Sequence, residues 1–159
     1  MSAAVGWGAL SGVLATLVMD ASAGFLKKAG ITVGLDPPLL GRWIRSIARM
    51  HPVQADIRAV PSEPGEMPVA FTAHYLIGAT FGVLFSLVAH DLSGGAARFG
   101  GGVVFGLATN AAPWFLMFPA MGFGFFGTRA PERKLFLTSA LNHAMFGVGL
   151  GLFAQVFPL

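Results

Sequence analysis

Four apolar stretches, each long enough to cross a lipid bilayer as a helix, constrain this chain more than any other feature of its sequence. They cover residues 3–26, 69–89, 99–126 and 135–157. A helix needs roughly 20 apolar residues to cross a hydrocarbon core of about 30 Å. Because lipid offers the backbone no hydrogen-bond partner and the apolarity does not alternate, helices are predicted rather than barrel strands. The sequence therefore predicts an all-α fold, an integral membrane bundle of four transmembrane helices that forms one domain over residues 1–159.

The composition argues against a soluble globule of this size. Of the 159 residues, 55% are hydrophobic and 11% are charged, and the mean hydropathy is +0.71. A soluble domain carries about 25% charged residues. The absence of cysteine excludes disulfides and thiolate metal sites. A net charge of +3 does not indicate a nucleic-acid partner, because the basic residues lie in loops between apolar stretches and form no basic motif.

The first loop, residues 27–68, is predicted to contain a short helix. Asp36-Pro37-Pro38 is typical of a helix start, because aspartate caps free amide groups and proline fits the first turn. After it, apolar side chains recur at helical spacing and arginines fall largely on the other side: Leu40, Trp43, Ile44 and Ile47 against Arg42, Arg45 and Arg49. We interpret this as an amphipathic helix at the membrane interface. The alternative is an ordinary helix packed within the loop.

The distribution of basic residues predicts the orientation of the bundle. All of them except Arg98 fall in the first and third loops: Lys27, Lys28, Arg42, Arg45, Arg49, Arg58, Arg129, Arg133 and Lys134. Cytoplasmic loops carry an excess of lysine and arginine. The sequence therefore predicts a multi-pass protein of the bacterial inner (cytoplasmic) membrane, with these loops in the cytoplasm and both termini in the periplasm.

The two halves of the chain share a pattern. The second and fourth stretches both contain His-x3-Gly-x3-Gly, beginning at His74 and at His143. The first contains Gly8-x3-Gly12 followed by Leu-Ala-Thr at 14–16, and the third contains Gly102-x3-Gly106 followed by Leu-Ala-Thr at 107–109. We interpret this as a repeated helical hairpin related by an axis along the membrane normal, with GxxxG packing between close helices. Chance similarity among glycine-rich apolar helices is the alternative.

One acid and two imidazoles are predicted to lie at the same depth near the cytoplasmic side. Asp20 is near the end of the first stretch, while His74 and His143 are near the starts of the second and fourth. Tyr75 and Asn142 flank the histidines. Arg42, Glu66 and Arg129 are expected to reach the cluster from the loops. Ionisable groups inside a bilayer are costly and usually face a partner or a cavity, so these residues are candidates for a ligand-binding site.

Several roles are open for this cluster. Asp20, His74 and His143 are candidate metal ligands, and the same groups suit a proton relay or the binding of a lipid head group. Pairing that only locks the bundle is the structural alternative, because buried polar groups need partners in any case. A haem between the two histidines has no attachment motif to support it, so the cofactor is left open. Elsewhere, Asn110, Pro113 and Pro119 predict a kink in the third stretch.

Seven short motifs resemble a known family. They are Ala15-Thr16-x2-Met19-Asp20, Gly41-Arg42-Trp43, Pro64-Gly65-Glu66, Ala73-His74-Tyr75-x2-Gly78, Met117-x-Pro119-Ala120-x-Gly122, Thr128-Arg129-x-Pro131 and His143-x2-Phe146-Gly147. Together they resemble short bacterial inner-membrane proteins catalogued only as a domain of unknown function. Gly127 and Asn142 depart from the family pattern, in which serine and alanine are expected. The resemblance implies four helices in the inner membrane and no particular activity.

Three functional hypotheses follow. The first is binding of a lipid head group or small polar ligand at the polar cluster. The second is an accessory or assembly subunit of a larger membrane complex, or a homo-oligomer, that uses the glycine and phenylalanine faces as contacts. The third is a membrane-embedded enzyme or transporter, for which the sequence offers no recognisable nucleophile, phosphate loop or dinucleotide motif. Binding is favoured over catalysis, and membrane lipids are the expected partners.

Overall fold

The structure, a computed structural model, describes residues 2–33, 36–89, 92 and 94–157, without the side chains of residues 2, 3, 96 and 97. Within them the helices are α1 (Ser2–Lys28), α2 (Pro37–Ala48), α3 (Glu66–Ala89), α4 (Gly95–Ala108), α5 (Phe118–Ala120) and α6 (Leu135–Phe153), and no strand occurs. Four segments are long and apolar enough to cross a membrane: Ala4–Lys28, Glu66–Ala89, Arg98–Ala120 and Leu135–Phe153. The predicted all-α architecture with four such helices is confirmed. The chain ends, residues 1 and 158–159, lie outside the described residues.

The third apolar stretch ends earlier than predicted. After α4, a π-helical turn (Pro113–Met117) leads into α5, and this helical segment stops at Ala120 rather than at residue 126. A short 3-10 helix (Phe125–Gly127) follows after a break. Proline has no backbone N–H to continue a helix, so Pro113 and Pro119 weaken this segment. Gly122 and Gly124 then adopt positive φ angles of 87° and 72°, which glycine tolerates without a steric penalty. The interruption was predicted, but the end of the helix was not.

The first hairpin, α1 with α3, is in contact through small residues. A Cβ atom added to Gly8 would lie 2.7 Å from the hydroxyl oxygen of Ser86, and one added to Gly12 would clash with the carbonyl oxygen of Gly78. The earlier glycine of α1 therefore meets the later part of α3, so the two helices run antiparallel. Their backbones approach too closely for any side chain at these positions.

The second hairpin, α4 with α6, uses the equivalent positions. Gly102 faces Gly151, and Gly106 faces Gly147. In both hairpins, therefore, the second glycine of the Gly-x3-Gly pattern in the first helix lies against the glycine four residues after the histidine. These pairs are Gly12 with Gly78 and Gly106 with Gly147. The Leu-Ala-Thr segments are not equivalent, because Thr16 follows its glycine by four residues and donates to the Gly12 carbonyl oxygen (2.8 Å), whereas Thr109 follows by three.

The two hairpins join mainly along α1 and α6. Ala15 of α1 is fully buried, and a Cβ atom added to Gly149 of α6 would lie 2.7 Å from the Cα atom of Ala15. On the other side, α3 meets α4 through phenylalanines: the rings of Phe85 and Phe105 are 5.4 Å apart and those of Phe81 and Phe105 are 6.5 Å apart. An exact two-fold axis between the hairpins would exchange α1 with α4 and α3 with α6, and would therefore make the α1–α6 and α3–α4 interfaces alike. The hairpins therefore match internally but associate asymmetrically.

The first loop and the third loop, which in the structure comprises residues 121–134 between α5 and α6, fold together at the end of the bundle where α1 ends and α3 and α6 begin. Their core consists of Ile57, Phe118, Met121, Phe123 and Leu135, all at most 4% exposed. Backbone hydrogen bonds link the two loops, from Gln54 N to Ala120 O (2.7 Å) and from Ile57 N to Met121 O (3.0 Å). The first and third loops thus form one packed layer.

The helix predicted in the first loop is present, with two corrections. Pro37 starts α2 as expected, but the side chain of Asp36 makes no capping hydrogen bond, and its backbone carbonyl accepts from Leu39 N instead. The helix packs on α3, where a Cβ added to Gly41 would clash with the Glu66 carbonyl. Arg42, predicted to lie on the polar side, is directed inward with only 12% of its side chain exposed.

Candidate functional site

Asp20, His74 and Tyr75 form one hydrogen-bonded cluster between α1 and α3. The Nε2 atom of His74 lies 3.0 Å from Oδ1 of Asp20, and the Tyr75 hydroxyl donates to Oδ2 at 2.9 Å. The imidazole and phenol rings meet edge to face, with centroids 5.5 Å apart. Both carboxylate oxygens therefore accept one hydrogen bond each. We call these three residues the Asp20 cluster.

The glycine contact between the helices explains why this cluster forms. One turn from Asp20, the Thr16 hydroxyl lies directly against Gly78, which is itself one turn from His74. The close approach brings the short aspartate and the imidazole within hydrogen-bonding distance. A bulkier residue at 78 would separate the helices and break that contact.

Asp20, His74 and His143 lie at similar distances from the ends of their helices. Asp20 lies eight residues before the end of α1, and His74 and His143 lie eight residues after the starts of α3 and α6. At 1.5 Å per residue, each is about 12 Å from its helix end. The Asp20 cluster is also partly open, because 35% of the Asp20 side chain and 28% of the His74 side chain are exposed.

His143 does not join the Asp20 cluster. Its Nδ1 atom lies 2.6 Å from the hydroxyl oxygen of Thr109 on α4, and that hydroxyl donates its single proton to the Gly106 carbonyl at 2.6 Å. The imidazole N–H therefore supplies the proton between His143 and Thr109. Asn142 does not join the cluster through its side-chain oxygen either, because its buried Oδ1 atom has no hydrogen-bond partner among the described residues. The expected single cluster is split between the two hairpins.

A second polar link, from the turn that follows α4 to α6, was not predicted as part of the site. Asn110 is fully buried, and its Oδ1 atom accepts a hydrogen bond from the Ser139 hydroxyl (2.8 Å). Ser139 is one turn before His143, so the two links lie on consecutive turns of α6. The sequence signals were a serine four residues before His143 and, in the preceding apolar stretch, an asparagine that the kink already accounts for. This arrangement holds the helices together, because every buried polar group needs a partner.

Arg42 and Glu66 form an ion pair of their own, apart from the Asp20 cluster. The guanidinium makes two hydrogen bonds to the carboxylate, Nε–Oε1 at 2.8 Å and Nη2–Oε2 at 3.0 Å, and Nη1 donates to the Val60 carbonyl at 3.0 Å. The bonds to Glu66 raise the pKa of Arg42. Glu66 is 5% exposed and also accepts from the backbone N–H of Glu63. The pair fastens α2 and the first loop to the start of α3.

Arg129 lies in the loop layer, beside a cavity formed by residues of both loops. It makes no salt bridge within the part of the chain that the structure describes. No metal site emerges from the candidates Asp20, His74 and His143. Across residues 2–33, 36–89, 92 and 94–157, no group of three or more His, Cys, Asp or Glu residues is arranged to hold a metal ion.

Comparison with known proteins gives a family and no activity. The family model described as "Protein of unknown function (DUF2938)" matches residues 9–157. No curated protein and no solved structure matches the chain. The match begins within the first apolar helix and covers the other three and the Asp20 cluster, and it confirms the resemblance drawn from the seven motifs. The chain therefore belongs to the DUF2938 family, whose function is unknown.

Proposed function

We propose that this chain is an integral membrane protein that binds the polar head of an amphiphilic ligand at the Asp20 cluster. In this proposal the four apolar helices cross the bacterial inner membrane, the basic loops face the cytoplasm and both termini face the periplasm. The observation that carries the proposal is a partly exposed carboxylate within an apolar helix. A charged side chain facing hydrocarbon costs several kcal/mol, and His74 and Tyr75 leave 35% of the Asp20 side chain exposed, so a further polar partner would stabilise it.

The bonding of the cluster indicates what that partner is. Each oxygen of Asp20 accepts one hydrogen bond from the protein and retains further acceptor capacity. A ligand with a hydroxyl or ammonium head group supplies the missing donor. One turn deeper, Leu17 and Ile77 are exposed, at 48% and 44%, and provide an apolar surface for its tail. The ligand class is therefore a lipid or lipid-like molecule with a hydrogen-bond-donating head.

The experiment compares amphiphiles that co-purify with the full chain in a mild detergent. Asp20→Asn and Tyr75→Phe keep the side-chain shapes and remove the charge or the phenolic donor. We expect an amphiphile to accompany the wild type in near-stoichiometric amounts and to fall about tenfold in Asp20→Asn, because hydrogen bonds to charged groups contribute about 1.5–3 kcal/mol. Thr109→Val, which removes the contact of His143 with a hydroxyl in the other hairpin, is the control. The same amphiphile in the same amount in all variants would refute the proposal.

An accessory subunit is the second candidate, and the same exposure favours it. A helix from another subunit, or from a second copy of this chain, would also cover the Asp20 cluster and satisfy its carboxylate. In that case a protein, rather than an amphiphile, co-purifies with the wild type and is lost in Asp20→Asn. Mass analysis of the intact complex separates the two outcomes.

A further inference from the structure

A cavity of about 370 Å³ lies in the loop layer, away from the Asp20 cluster. Its walls come from Val53 and Gln54 of the first loop and from Gly124, Phe125, Thr128 and Arg129 of the third. This volume is within the range of small-molecule sites, about 300–1,000 Å³. The segments that form it are held by the backbone hydrogen bond between Gln54 and Ala120 (2.7 Å) and by the one from Arg129 N to Phe123 O (2.7 Å).

The stem of Arg129 lies close to a glycine in the wall of this cavity. A Cβ atom added to Gly124 would lie 3.2 Å from Cγ and 3.3 Å from Cδ of Arg129, so the side chain crosses the space that glycine leaves open. Gly124 also has a φ of +72°, which disfavours any other residue there. The Cγ and Cδ atoms of Arg129 thus pack beside the Gly124 backbone, while the residue as a whole is exposed.

Two arginines of this layer, Arg129 and Arg133, have no carboxylate partner among the described residues, and of the two it is Arg129 that lines this cavity. Arg42, Arg45, Arg49 and Arg58 each contact a carboxylate, at 2.6–2.8 Å. No carboxylate lies within 4.0 Å of the Arg129 guanidinium among the described residues. Lys134 donates to the Gly30 carbonyl (2.9 Å), which brings the basic residues at the end of α1 and at the start of α6 to the same end of the bundle.

The polar groups of the cavity suit an anion with several acceptor oxygens. The guanidinium presents a planar set of donors that matches phosphate. The side-chain amide of Gln54 uses one of its two N–H groups on the His51 carbonyl (2.7 Å), which leaves the other as a donor. The Thr128 hydroxyl already donates to Phe125 O (3.0 Å). Val53 and Phe125, exposed by 72% and 58%, form an apolar rim.

We propose that this cavity binds the phosphate of a glycerophospholipid, with the phosphate on Arg129 and the first part of the acyl chains against Val53 and Phe125. The loop layer lies at the end of the apolar helices, which is the depth of the lipid phosphates if the helices span a bilayer. The inference therefore rests on the membrane location in the proposed function, but it does not involve the Asp20 cluster. Its phosphate chemistry also differs from the hydrogen-bond-donating head proposed there.

The test measures lipid retention by the full chain in mixed micelles, using native mass spectrometry. Three probes separate the chemistry: phosphatidylglycerol, diacylglycerol with the same chains, and glycerol 3-phosphate without chains. We expect phosphatidylglycerol to be retained by the wild type and by Asp20→Asn alike. Any diacylglycerol that the wild type retains through its hydroxyl at the Asp20 cluster should be lost in Asp20→Asn, and glycerol 3-phosphate should bind weakly. Equal binding of glycerol 3-phosphate would also support the site, and would identify a soluble phosphate ester as its source.

Two variants tie retention to the guanidinium. Arg129→Gln is expected to lower phosphatidylglycerol retention about tenfold, since a charge-assisted contact is lost. Arg129→Lys is expected to lower it less, because the charge remains without the planar fork.

Lys28→Gln removes the same charge from the same end of the bundle and is expected to retain lipid like the wild type. Melting curves of each variant check that it is folded. Equal retention by Arg129→Gln and the wild type, or an equal loss in Lys28→Gln, would overturn the proposal. This readout differs from the co-purified amphiphile, so the two proposals fail separately.

Discussion

Two regions of this molecule are held together by different interactions. Among the long apolar helices, which we call the helix layer, adjacent backbones touch at glycines, as at Gly12 against Gly78 and at Gly106 against Gly147. In the loop layer, formed by α2 and the first and third loops, buried apolar side chains are combined with ion pairs. Charged residues are almost absent from the first region and concentrated in the second.

The difference follows from the solvent that each region is built for. Between apolar helices in lipid the hydrophobic effect supplies little attraction, so close van der Waals contact and hydrogen bonds must hold the helices, and small residues permit that contact. Loops that meet water gain from burying Ile57, Phe118 and Phe123, and they satisfy the polar groups left over with ion pairs. Each layer is therefore expected to fail through a different kind of substitution.

The largest expected effect is in the loop layer, from Arg42→Met. The substitution leaves the Glu66 carboxylate, which is 5% exposed, without the guanidinium that neutralises it. Breaking a buried ion pair by removing one partner costs about 3–5 kcal/mol. Unfolding by denaturant or heat in detergent micelles measures the change in free energy.

Arg58→Met is the matched control for this prediction. It removes the same side chain from an ion pair in the same layer, but the Arg58 and Asp56 side chains are 41% and 38% exposed. Exposed pairs contribute about 0–1 kcal/mol. If Arg42→Met and Arg58→Met lowered the free energy of unfolding equally, the buried ion pair would stabilise the loop layer no more than an exposed one. The proposed difference between the loop layer and the helix layer would then be wrong on this point.

A smaller effect is expected in the helix layer, from Gly12→Val and Gly106→Val. The new side chain would meet the Gly78 carbonyl in the first hairpin and Gly147 in the second, and the helices would have to separate. Overpacking of this kind costs about 1–3 kcal/mol. The two variants are expected to lose similar amounts of stability in micelles, because the hairpins pair at equivalent positions.

Gly24→Val is the control for the glycine contacts. Gly24 lies in α1, and a Cβ atom added there has no neighbour within 4 Å. Its substitution is therefore expected to change stability by only a few tenths of a kcal/mol, the scale of helix propensity. A tolerated valine at either position 12 or position 106 would show that the helices of that hairpin can separate freely, and would break the proposed equivalence.

The helix layer was largely predictable from the sequence, because its signals are local. Continuous apolar length identifies a spanning helix without knowledge of its neighbours. The level of Asp20, His74 and His143 follows from counting residues along helices. The identity of their hydrogen-bond partners does not follow from such counting. Whether Asp20 pairs with His74 or His143 depends on how the hairpins associate, and sequence periodicity does not specify that association.

The loop layer was predicted less well, for a related reason. Arg42 was assigned to the outer side of an amphipathic helix, because helical spacing shows which residues share a face and not what that face meets. Its buried partner, Glu66, is 24 residues later in the chain. The end of the third helix at Ala120 was missed because hydrophobicity continues through Phe123, Phe125 and Phe126, while the backbone turns at Gly122 and Gly124. Composition alone reports where a chain is apolar and not where it stops being helical.

The smallest effect is a pH dependence in the exposed part of the loop layer. Glu63 accepts hydrogen bonds from Arg49 (2.6 and 2.7 Å) and Arg45 (2.8 Å), and these lower its pKa to about 2 from the ordinary 4.5. A depressed pKa in the folded state means that the contribution of Glu63 to stability is fully present above about pH 5 and is lost as the pH falls towards 2. The difference in unfolding free energy between the wild type and Glu63→Gln should therefore shrink as the pH falls from 5 to 2.

Glu132→Gln, which removes an equal charge outside the ion pair, is the control. A difference between Glu63→Gln and the wild type that stays constant over this range would show that the exposed ion pair contributes nothing to folding, which would leave the buried Arg42–Glu66 pair as the charge interaction that matters in the loop layer.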